Sequence, residues 1–381
     1  MWHRLLKLEI DTNRIYGLDI LRAFAILFVV YGHGISIVQS FIPIGFLQIF
    51  YFDGVSIFFV LSGFLIGRIL LRTIDKYGTS FTSLLNFWIR RWFRTLPNYF
   101  LILILLLLAN TITQDVQISN IWKYFLFTQN FSEPHPLFFP EAWSLSIEEW
   151  FYILIPACLF LFTSLFKRKE IITLTIIVGI IMAVIAIRYY RFMVVDLDTS
   201  HLWDAEFRKQ VITRLDSIMF GVLGAYFSHY YNEKWLNYRK ALLLFGIVLL
   251  LLYKVIPTFH SVSIFPFYHY VISFALVAIG TLLLLPFLST YENGSGIIYK
   301  TLTTISLISY SMYLINLSMV KFIALPIIRH VCPFKLDNNI PGYVFQYALF
   351  WSITIIGSII IYKYFEKPMT ELREKFQLKD N

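Results

Sequence analysis

One apolar stretch decides the fold class of this chain. Residues 171–187 read Ile171-Ile-Thr-Leu-Thr-Ile-Ile-Val-Gly-Ile-Ile-Met-Ala-Val-Ile-Ala-Ile187, without a charged side chain. A run of this length approaches the ~20 residues that an α-helix needs to cross the hydrocarbon layer of a bilayer. Comparable runs recur along the whole sequence, for example from Phe100 to Ala109 and from Ala241 to Tyr253. The pattern predicts an all-α protein whose helices cross a lipid bilayer repeatedly.

The composition supports this interpretation and excludes others. Of 381 residues, 58% are hydrophobic and 14% are charged, whereas an ordinary soluble domain has roughly 25% charged residues. The net charge of +9 does not indicate a nucleic-acid partner, because the Lys and Arg residues lie in short segments between apolar runs, as the positive-inside rule requires. The two cysteines and eight histidines show no ligand spacing, so we expect no metal.

The hydropathy pattern predicts a transmembrane helical bundle of about ten spans. Arg4, Lys7 and Arg14 precede the first span, and an even number of spans returns the chain to its starting side. Both the amino and the carboxyl terminus are therefore expected in the cytoplasm. Because no linker interrupts the pattern, residues 1–381 are expected to form a single domain. The predicted spans are 17–40, 49–71, 95–112, 144–166, 171–189, 212–229, 241–256, 267–289, 304–324 and 343–363.

The first span carries ionisable side chains where they are costly, at about 3 kcal/mol each on insertion scales. Arg22 and His33 are separated by just over three helical turns, so they share one helix face with a rise of about 16 Å between them. A guanidinium can bind phosphates, and an imidazole can take a proton from a hydroxyl. The pair predicts a long phosphorylated donor lying along the helix. The alternatives are a snorkelling arginine and a histidine that only bonds neighbouring helices.

A carboxylate at the start of the fourth span is the second candidate. Glu148 lies in the stretch Trp143-Ser-Leu-Ser-Ile-Glu148, at a membrane depth close to that expected for His33. We predict that Glu148 orients His33 or stabilises its imidazolium, as a third group does in other acyl transfers. The alternative is a negative charge placed favourably at a helix start.

Two arginines precede the third span on the predicted cytoplasmic side. Arg91 and Arg94 are i and i+3 neighbours on one helix face, so we predict that they bind the anionic nucleotide end of the donor. The alternative is a cluster that binds lipid headgroups. Arg214 and Asp216, at the start of the sixth span, are predicted to form a structural ion pair.

Two longer segments are expected outside the membrane, where they could shape an acceptor site. The first runs from Thr113 to Glu141 and is rich in aromatic residues and proline. The second runs from Tyr190 to Gln210 and carries several polar side chains, namely Asp196, Asp198, His201, Asp204 and Glu206.

Taken in order, these stretches resemble the acyltransferase 3 family of bacterial membrane proteins. The resemblance departs from the family pattern at two positions: Asn316 stands where the family often has histidine, and Ser56 stands where an aspartate is frequent. The matching stretches are Gly17-Leu-Asp19-Ile-Leu-Arg22, Tyr31-Gly-His33, Phe58-Phe-Val-Leu-Ser62-Gly63-Phe, Arg90-Arg91-Trp-Phe-Arg94-Thr-Leu-Pro97, Trp143-Ser-Leu-Ser-Ile-Glu148, Arg214-Leu-Asp216, Ser309-Tyr310-Ser-Met-Tyr313-Leu and Tyr364-Phe-Glu366-Lys-Pro368.

The resemblance implies a fold of about ten helices in the bacterial plasma (inner) membrane. It also implies that an acyl group, most often acetyl from acetyl-CoA, passes from a cytoplasmic acyl-CoA to a hydroxyl of an extracytoplasmic acceptor such as a cell-surface polysaccharide or glycolipid. In family terms His33 would be the catalytic residue, to which the position of Glu148 adds the assisting carboxylate predicted above. Arg22, Arg91 and Arg94 would contact the donor.

A second class of function also fits a helical bundle with polar groups inside it. A non-enzymatic exporter or flippase of a glycan or lipid places such groups along its transport path. Transporters often carry internal repeats or paired broken helices, and the sequence indicates neither. Transport of an unmodified substrate without acyl-CoA would distinguish this alternative from a transferase.

Overall fold

A computed structural model describes Leu8 and residues 14–113, 120–195, 203–259, 265–331 and 339–376. These described residues form helices and connecting turns, with no β-strand among them. Several residues singled out in the sequence lie outside the described residues, namely Arg4, Lys7, Asp196, Asp198 and His201. Ten long helices dominate the described part: α1 (Tyr16–Val38), α2 (Gly54–Tyr77), α3 (Phe81–Thr113), α4 (Ala142–Leu165), α5 (Lys169–Val194), α6 (Leu215–Tyr230), α7 (Arg239–Phe259), α8 (Ser273–Leu288), α9 (Gly296–Ile315) and α10 (Ile340–Ile361).

Shorter helical pieces connect or extend the long ones. A π-helical stretch, Asn316–Ala324, continues α9 into the short helix Leu325–Val331, and another, Tyr362–Glu366, continues α10. The remaining short pieces are Ile44–Ile49, Trp122–Phe125, Trp203–Arg208, Val211–Thr213, Asn232–Asn237, Tyr268–Ile272, Lys367–Leu372 and Arg373–Lys375.

The multi-pass helical fold predicted from the sequence is confirmed. Eight helical stretches of the described residues are long and apolar enough to cross a membrane. The predicted sixth and seventh spans also coincide with helices, the 16-residue α6 and the 21-residue α7. One boundary differs clearly: α3 begins at Phe81, well before the predicted residue 95. Arg91 and Arg94 therefore lie inside a continuous helix rather than in a segment preceding it.

Helix α2 lies at the centre of the bundle, where it packs against α1, α6 and α8. Its contact with α6 depends on two glycines that let the backbones approach closely, as small residues do between membrane helices. A Cβ added at Gly63 would lie 1.9 Å from the carbonyl oxygen of Ile218, and one added at Gly221 would lie 2.0 Å from that of Val60. Neither backbone oxygen can move away without separating the helices.

We therefore expect Gly63→Ala to lower the free energy of unfolding by about 1–3 kcal/mol, the usual cost of overpacking. Gly179→Ala is the matched control, because no atom lies within 4 Å of the added methyl group on α5. Alanine there should be neutral or stabilising, since glycine is the poorer helix former. Unfolding of the purified variants in detergent measures both effects. Equal stability of Gly63→Ala and the parent chain would contradict the close α2–α6 contact.

Charged side chains are buried inside the bundle as hydrogen-bonded pairs. Arg188 of α5 and Asp216 of α6 are fully buried, and their ion pair is 2.6 Å long. The predicted pairing of Arg214 with Asp216 was wrong. Arg214 instead donates a 2.6 Å hydrogen bond to Ser56 Oγ, because it precedes α6 and reaches the start of α2, while Asp216 faces α5. Losing one member of such a pair leaves an uncompensated buried charge.

Candidate functional site

Three predicted donor residues and Glu148 line one cavity of about 110 Å³, here called the inner cavity. Arg22 comes from α1, Arg91 and Arg94 come from α3, and Glu148 comes from α4. The spacing of the two α3 arginines turns both towards this space, as predicted from their i and i+3 positions. The other polar lining residues are Ser62, Thr95, Ser144, Tyr152, Ser309, Tyr310 and Tyr313.

Two of the three arginines face the inner cavity without a hydrogen-bonded or ion-paired partner among the described residues. No hydrogen bond or ion pair joins the guanidinium of Arg22 or Arg94 to another side chain in the described ranges. Arg91 differs, because its Nη2 donates to Tyr152 Oη at 3.3 Å and its guanidinium lies 4.9 Å from the centre of that ring. Three cations around one space repel each other unless an anion neutralises them. The inner cavity is therefore suited to an anionic ligand.

Glu148 belongs to this arginine cluster. Tyr152 Oη donates to Glu148 Oε2 at 3.1 Å, and Ser62 Oγ lies 3.1 Å from the same phenol oxygen. The chain Glu148–Tyr152–Arg91 therefore fixes Arg91 at the cavity wall. The predicted contact between Glu148 and His33 is not among the hydrogen bonds of the described residues, since His33 lines a different cavity.

His33 lines a second, larger cavity of about 440 Å³, here called the outer cavity. Its polar wall comes from α1 and its C-terminal end, from the segment before α2, and from the end of the π-helical turn Trp203–Arg208 with the residue that follows it. The polar lining residues are His33, Ser36, Gln39, Gln48, Tyr51, Asp53, Arg208 and Lys209. Arg208 and Lys209 belong to the segment Tyr190 to Gln210, which the sequence predicts beside an acceptor site.

The partner of His33 is Asn316, at the start of the π-helical stretch after α9. His33 Nδ1 lies 2.5 Å from Asn316 Oδ1. Two residues later, the backbone N–H of Ser318 donates to Glu141 Oε1 at 2.7 Å, and the Ser318 hydroxyl contacts the other oxygen of this carboxylate. Burial raises the pKa of Glu141 to about 7, although the two Ser318 hydrogen bonds oppose this shift. Glu141 thus anchors the stretch that carries Asn316.

An ionic cluster that sequence reasoning missed forms one wall of the outer cavity. Asp53 accepts hydrogen bonds from the backbone and hydroxyl of Ser56 and lies 3.7 Å from Arg208. Arg208 also pairs with Asp204 at 2.9 Å and lies over the ring of Trp143 at 4.9 Å. Burial alone would lower the pKa of Arg208, but Asp53, Tyr51 and Asp204 raise it above the ordinary value, so this residue stays cationic.

The two cavities meet at one residue. Val55, in the first turn of α2, lines both of them. Arg22 and His33 therefore open into different but adjoining spaces, as their spacing along α1 requires. No group of three or more histidine, cysteine, aspartate or glutamate side chains capable of holding a metal is found within the described ranges.

Comparisons with known proteins agree with the resemblance seen in the sequence. A family profile described as an acyltransferase domain matches residues 15–363. The O-acetyltransferase OatA of Staphylococcus aureus strain NCTC 8325 is 28% identical over 377 residues, which cover 93% of this chain and 57% of that protein. The peptidoglycan O-acetyltransferase OatA of Listeria monocytogenes serovar 1/2a is 34% identical over 146 residues, covering 34% of this chain and 23% of that protein.

The chain spans little more than half the length of the curated relatives that match it almost throughout. No solved structure matches it. Because the family profile extends over nearly all of the helical bundle, from just before α1 to just beyond α10, the chain belongs to the acyltransferase 3 family.

Proposed function

We propose that this protein transfers an acetyl group from cytoplasmic acetyl-CoA to a hydroxyl of an extracytoplasmic glycan, working as a multi-pass enzyme of the bacterial plasma membrane. One observation carries the proposal: three arginines, two of them without a hydrogen-bonded partner among the described residues, face one cavity, a histidine faces the next, and Val55 lines both. Residues 1–381 would act as one domain with both termini in the cytoplasm. The relatives' printed names favour acetyl as the acyl group and a cell-wall glycan as the acceptor.

At the donor end, Arg22, Arg91 and Arg94 would bind the phosphates of the nucleotide. Guanidinium groups form paired, charge-assisted hydrogen bonds with phosphate oxygens, which are stronger than neutral ones. Glu148 would keep Arg91 in place through Tyr152, which makes it a positioning residue rather than the group that orients His33. The pantetheine arm would then extend past Val55, carrying the thioester towards the outer cavity.

At the acceptor end, His33 would act as general base. Its imidazole takes the proton from the acceptor hydroxyl while that oxygen attacks the thioester carbonyl carbon. The tetrahedral intermediate then collapses, the carbon–sulfur bond breaks, and the CoA thiolate takes the proton from the imidazolium. In a two-step variant of this reaction, His33 Nε2 attacks the thioester first and carries the acetyl group to the acceptor. Trapping of an acetyl-imidazole on His33 in the absence of acceptor distinguishes the two routes.

Reconstituted proteoliposomes test the proposed function. Acetyl-CoA with a radioactive acetyl group is supplied on one face, and soluble peptidoglycan fragments are supplied on the other. We expect labelled ester to form on the fragments only when both substrates are present on opposite faces. Passage of unmodified fragments without acetyl-CoA, and without ester formation, would instead support the exporter. The same assay with lipid-linked glycan as acceptor separates polysaccharide from glycolipid modification.

The junction of the two cavities gives a separate test. A larger side chain at Val55 should obstruct the path of the pantetheine arm without touching the arginines that bind the nucleotide. We expect Val55→Phe to reduce acetyl transfer at least tenfold while the affinity for CoA changes less than twofold, as measured by equilibrium binding. Val55→Ala is the matched control and should keep transfer near the parental rate. A parental rate in Val55→Phe would show that the donor does not pass this residue.

A further inference from the structure

The orientation of the Asn316 side chain is fixed by its own helix. Its amide Nδ2 donates to the carbonyl oxygens of Met312 at 2.8 Å and Tyr313 at 2.9 Å. The amide nitrogen therefore faces two carbonyl oxygens, and the amide oxygen lies 2.5 Å from His33 Nδ1. The reversed amide would place an oxygen against two carbonyl oxygens, which cannot donate to it. Asn316 is fully buried, so no solvent competes for these bonds.

This geometry determines which nitrogen of His33 carries the proton. An amide oxygen only accepts hydrogen bonds, so the nitrogen facing it must be the donor. In a neutral imidazole the other nitrogen then has a free lone pair. Nδ1 is thus the protonated nitrogen of His33, and Nε2 is the one available as a proton acceptor.

Neighbouring contacts hold His33 and Asn316 in position relative to each other. Lys321 Nζ, on the same π-helical stretch as Asn316, donates to the backbone carbonyl oxygen of His33 at 2.6 Å. Glu141 holds Ser318, between these two positions, by two hydrogen bonds. A π-helical turn often marks a functional site because it changes the direction of the side chains around it. Here it presents Asn316 and Lys321 together to α1.

From this geometry we propose that Asn316 is a positioning residue, which holds His33 as the Nδ1–H tautomer so that Nε2 accepts the proton of the acceptor hydroxyl. The proposal deepens the proposed function and rests on it for the catalytic consequence, whereas the tautomer itself does not depend on any substrate. A neutral amide fixes the ring but adds no negative charge beside it. Asn316 therefore does what Glu148 was predicted to do, without the stabilisation of imidazolium that a carboxylate would provide.

Other charged or titratable groups also surround His33 and influence its protonation. Three of the six are cationic, and these three disfavour the imidazolium form. They also favour ionisation of any carboxylate introduced at position 316. These groups are Lys321 after α9, Arg208 and Lys209 before α6, Asp53 and Tyr51 before α2, and Tyr347 of α10, which lies beside Gly34.

Nitrogen-15 NMR of the histidine-labelled full chain tests the tautomer directly. The signals of His33 are identified by their loss in His33→Gln. We expect a protonated Nδ1 and an unprotonated Nε2 at neutral pH, and we expect Asn316→Leu to give a mixture of the two tautomers. The Nε2–H tautomer in the parent chain would overturn the assignment, and an unchanged tautomer in Asn316→Leu would show that Asn316 does not fix it. This readout stays informative even if the protein proves to have no transferase activity.

The pH dependence of acetyl transfer tests the positioning role. We expect Asn316→Leu to lower kcat at least tenfold, with KM for both substrates changed less than twofold. Asn316→Asp should keep most of kcat at high pH, while its acidic limb moves up by about one pH unit, because the carboxylate stabilises the imidazolium. Ser358→Ala is the matched control, since this buried hydroxyl donates to Thr354 of its own helix and lines neither cavity. An acidic limb in Asn316→Asp at the parental position would contradict the role, and thermal unfolding identifies a variant that is merely misfolded.

Discussion

Replacing His33 by alanine is expected to lower acetyl transfer by about 10²- to 10⁴-fold, the usual contribution of a positioned general base. The reason is that His33 is the sole histidine in the described lining of the outer cavity, and its Nε2 is free to accept a proton. Donor binding should be retained, because the arginines lie in the inner cavity. Ester formation in proteoliposomes and equilibrium binding of CoA measure the two properties separately.

His229→Ala is the matched control for this substitution. His229 is part-exposed, pairs with Asp75 at 2.6 Å and lines neither cavity, so its removal should leave transfer unchanged. Full acetyl transfer by a well-folded His33→Ala variant would show that His33 does not act in the catalytic step, even though it is hydrogen-bonded to Asn316.

Removing Arg22 and Arg94 together should produce the second large effect. Each charge-assisted hydrogen bond contributes about 1.5–3 kcal/mol, so loss of one from each arginine should weaken CoA binding by about 10²- to 10⁴-fold. Stability should change little or increase, because no hydrogen bond or ion pair holds either guanidinium within the described part of the chain, and both repel Arg91. Isothermal titration with CoA, alongside thermal unfolding, checks both expectations.

Two controls sharpen this test. Arg168→Ala removes an exposed arginine at the start of α5, and it should leave CoA binding unchanged. Dephospho-CoA lacks one phosphate. If the arginines contact that phosphate, the affinity for dephospho-CoA should fall less between the parent chain and the double variant than the affinity for CoA does. Parental affinity for CoA in the double variant would place the nucleotide outside the inner cavity.

Much of the fold could be predicted because a bilayer imposes a strong constraint on sequence. Each span must satisfy its backbone hydrogen bonds within a helix and present apolar side chains to lipid. Runs such as 171–187 can therefore be recognised as spans from the sequence alone. Helix ends were less predictable. The early start of α3 at Phe81 was not predicted, because residues 81–94 include many polar and aromatic side chains. They form part of the helix, but they are not hydrophobic enough to be recognised as part of a span.

The candidate site was predictable along a helix but not between helices. The face shared by Arg22 and His33, and that shared by Arg91 and Arg94, follow from helical geometry alone. Partners on other helices depend on packing that no local pattern records. For this reason the sequence paired Glu148 with His33, whereas its partner is Tyr152. It likewise paired Arg214 with Asp216, whereas Arg214 bonds to Ser56. The contact between Asn316 and His33 was not predicted at all.

One available signal in the sequence could have led to Asn316. The family resemblance marks position 316 as one where a polar residue is frequent, and asparagine can accept a hydrogen bond from an imidazole as histidine can. The ionic cluster of Asp53 and Arg208 gave no such signal, since these residues are far apart in the chain and meet only in the folded bundle.

The π-helical stretch Asn316–Ala324 also has an evolutionary consequence. A π-turn holds one residue more than an α-turn, so loss of one residue there would relax the stretch to ordinary α-helix. The helix beyond the stretch would keep its direction, but side chains within the stretch would turn by up to about 100° about the helix axis, so Asn316 and Lys321 would no longer both face α1. Descendants of this gene can thus exchange side chains in the stretch far more freely than they can change its length.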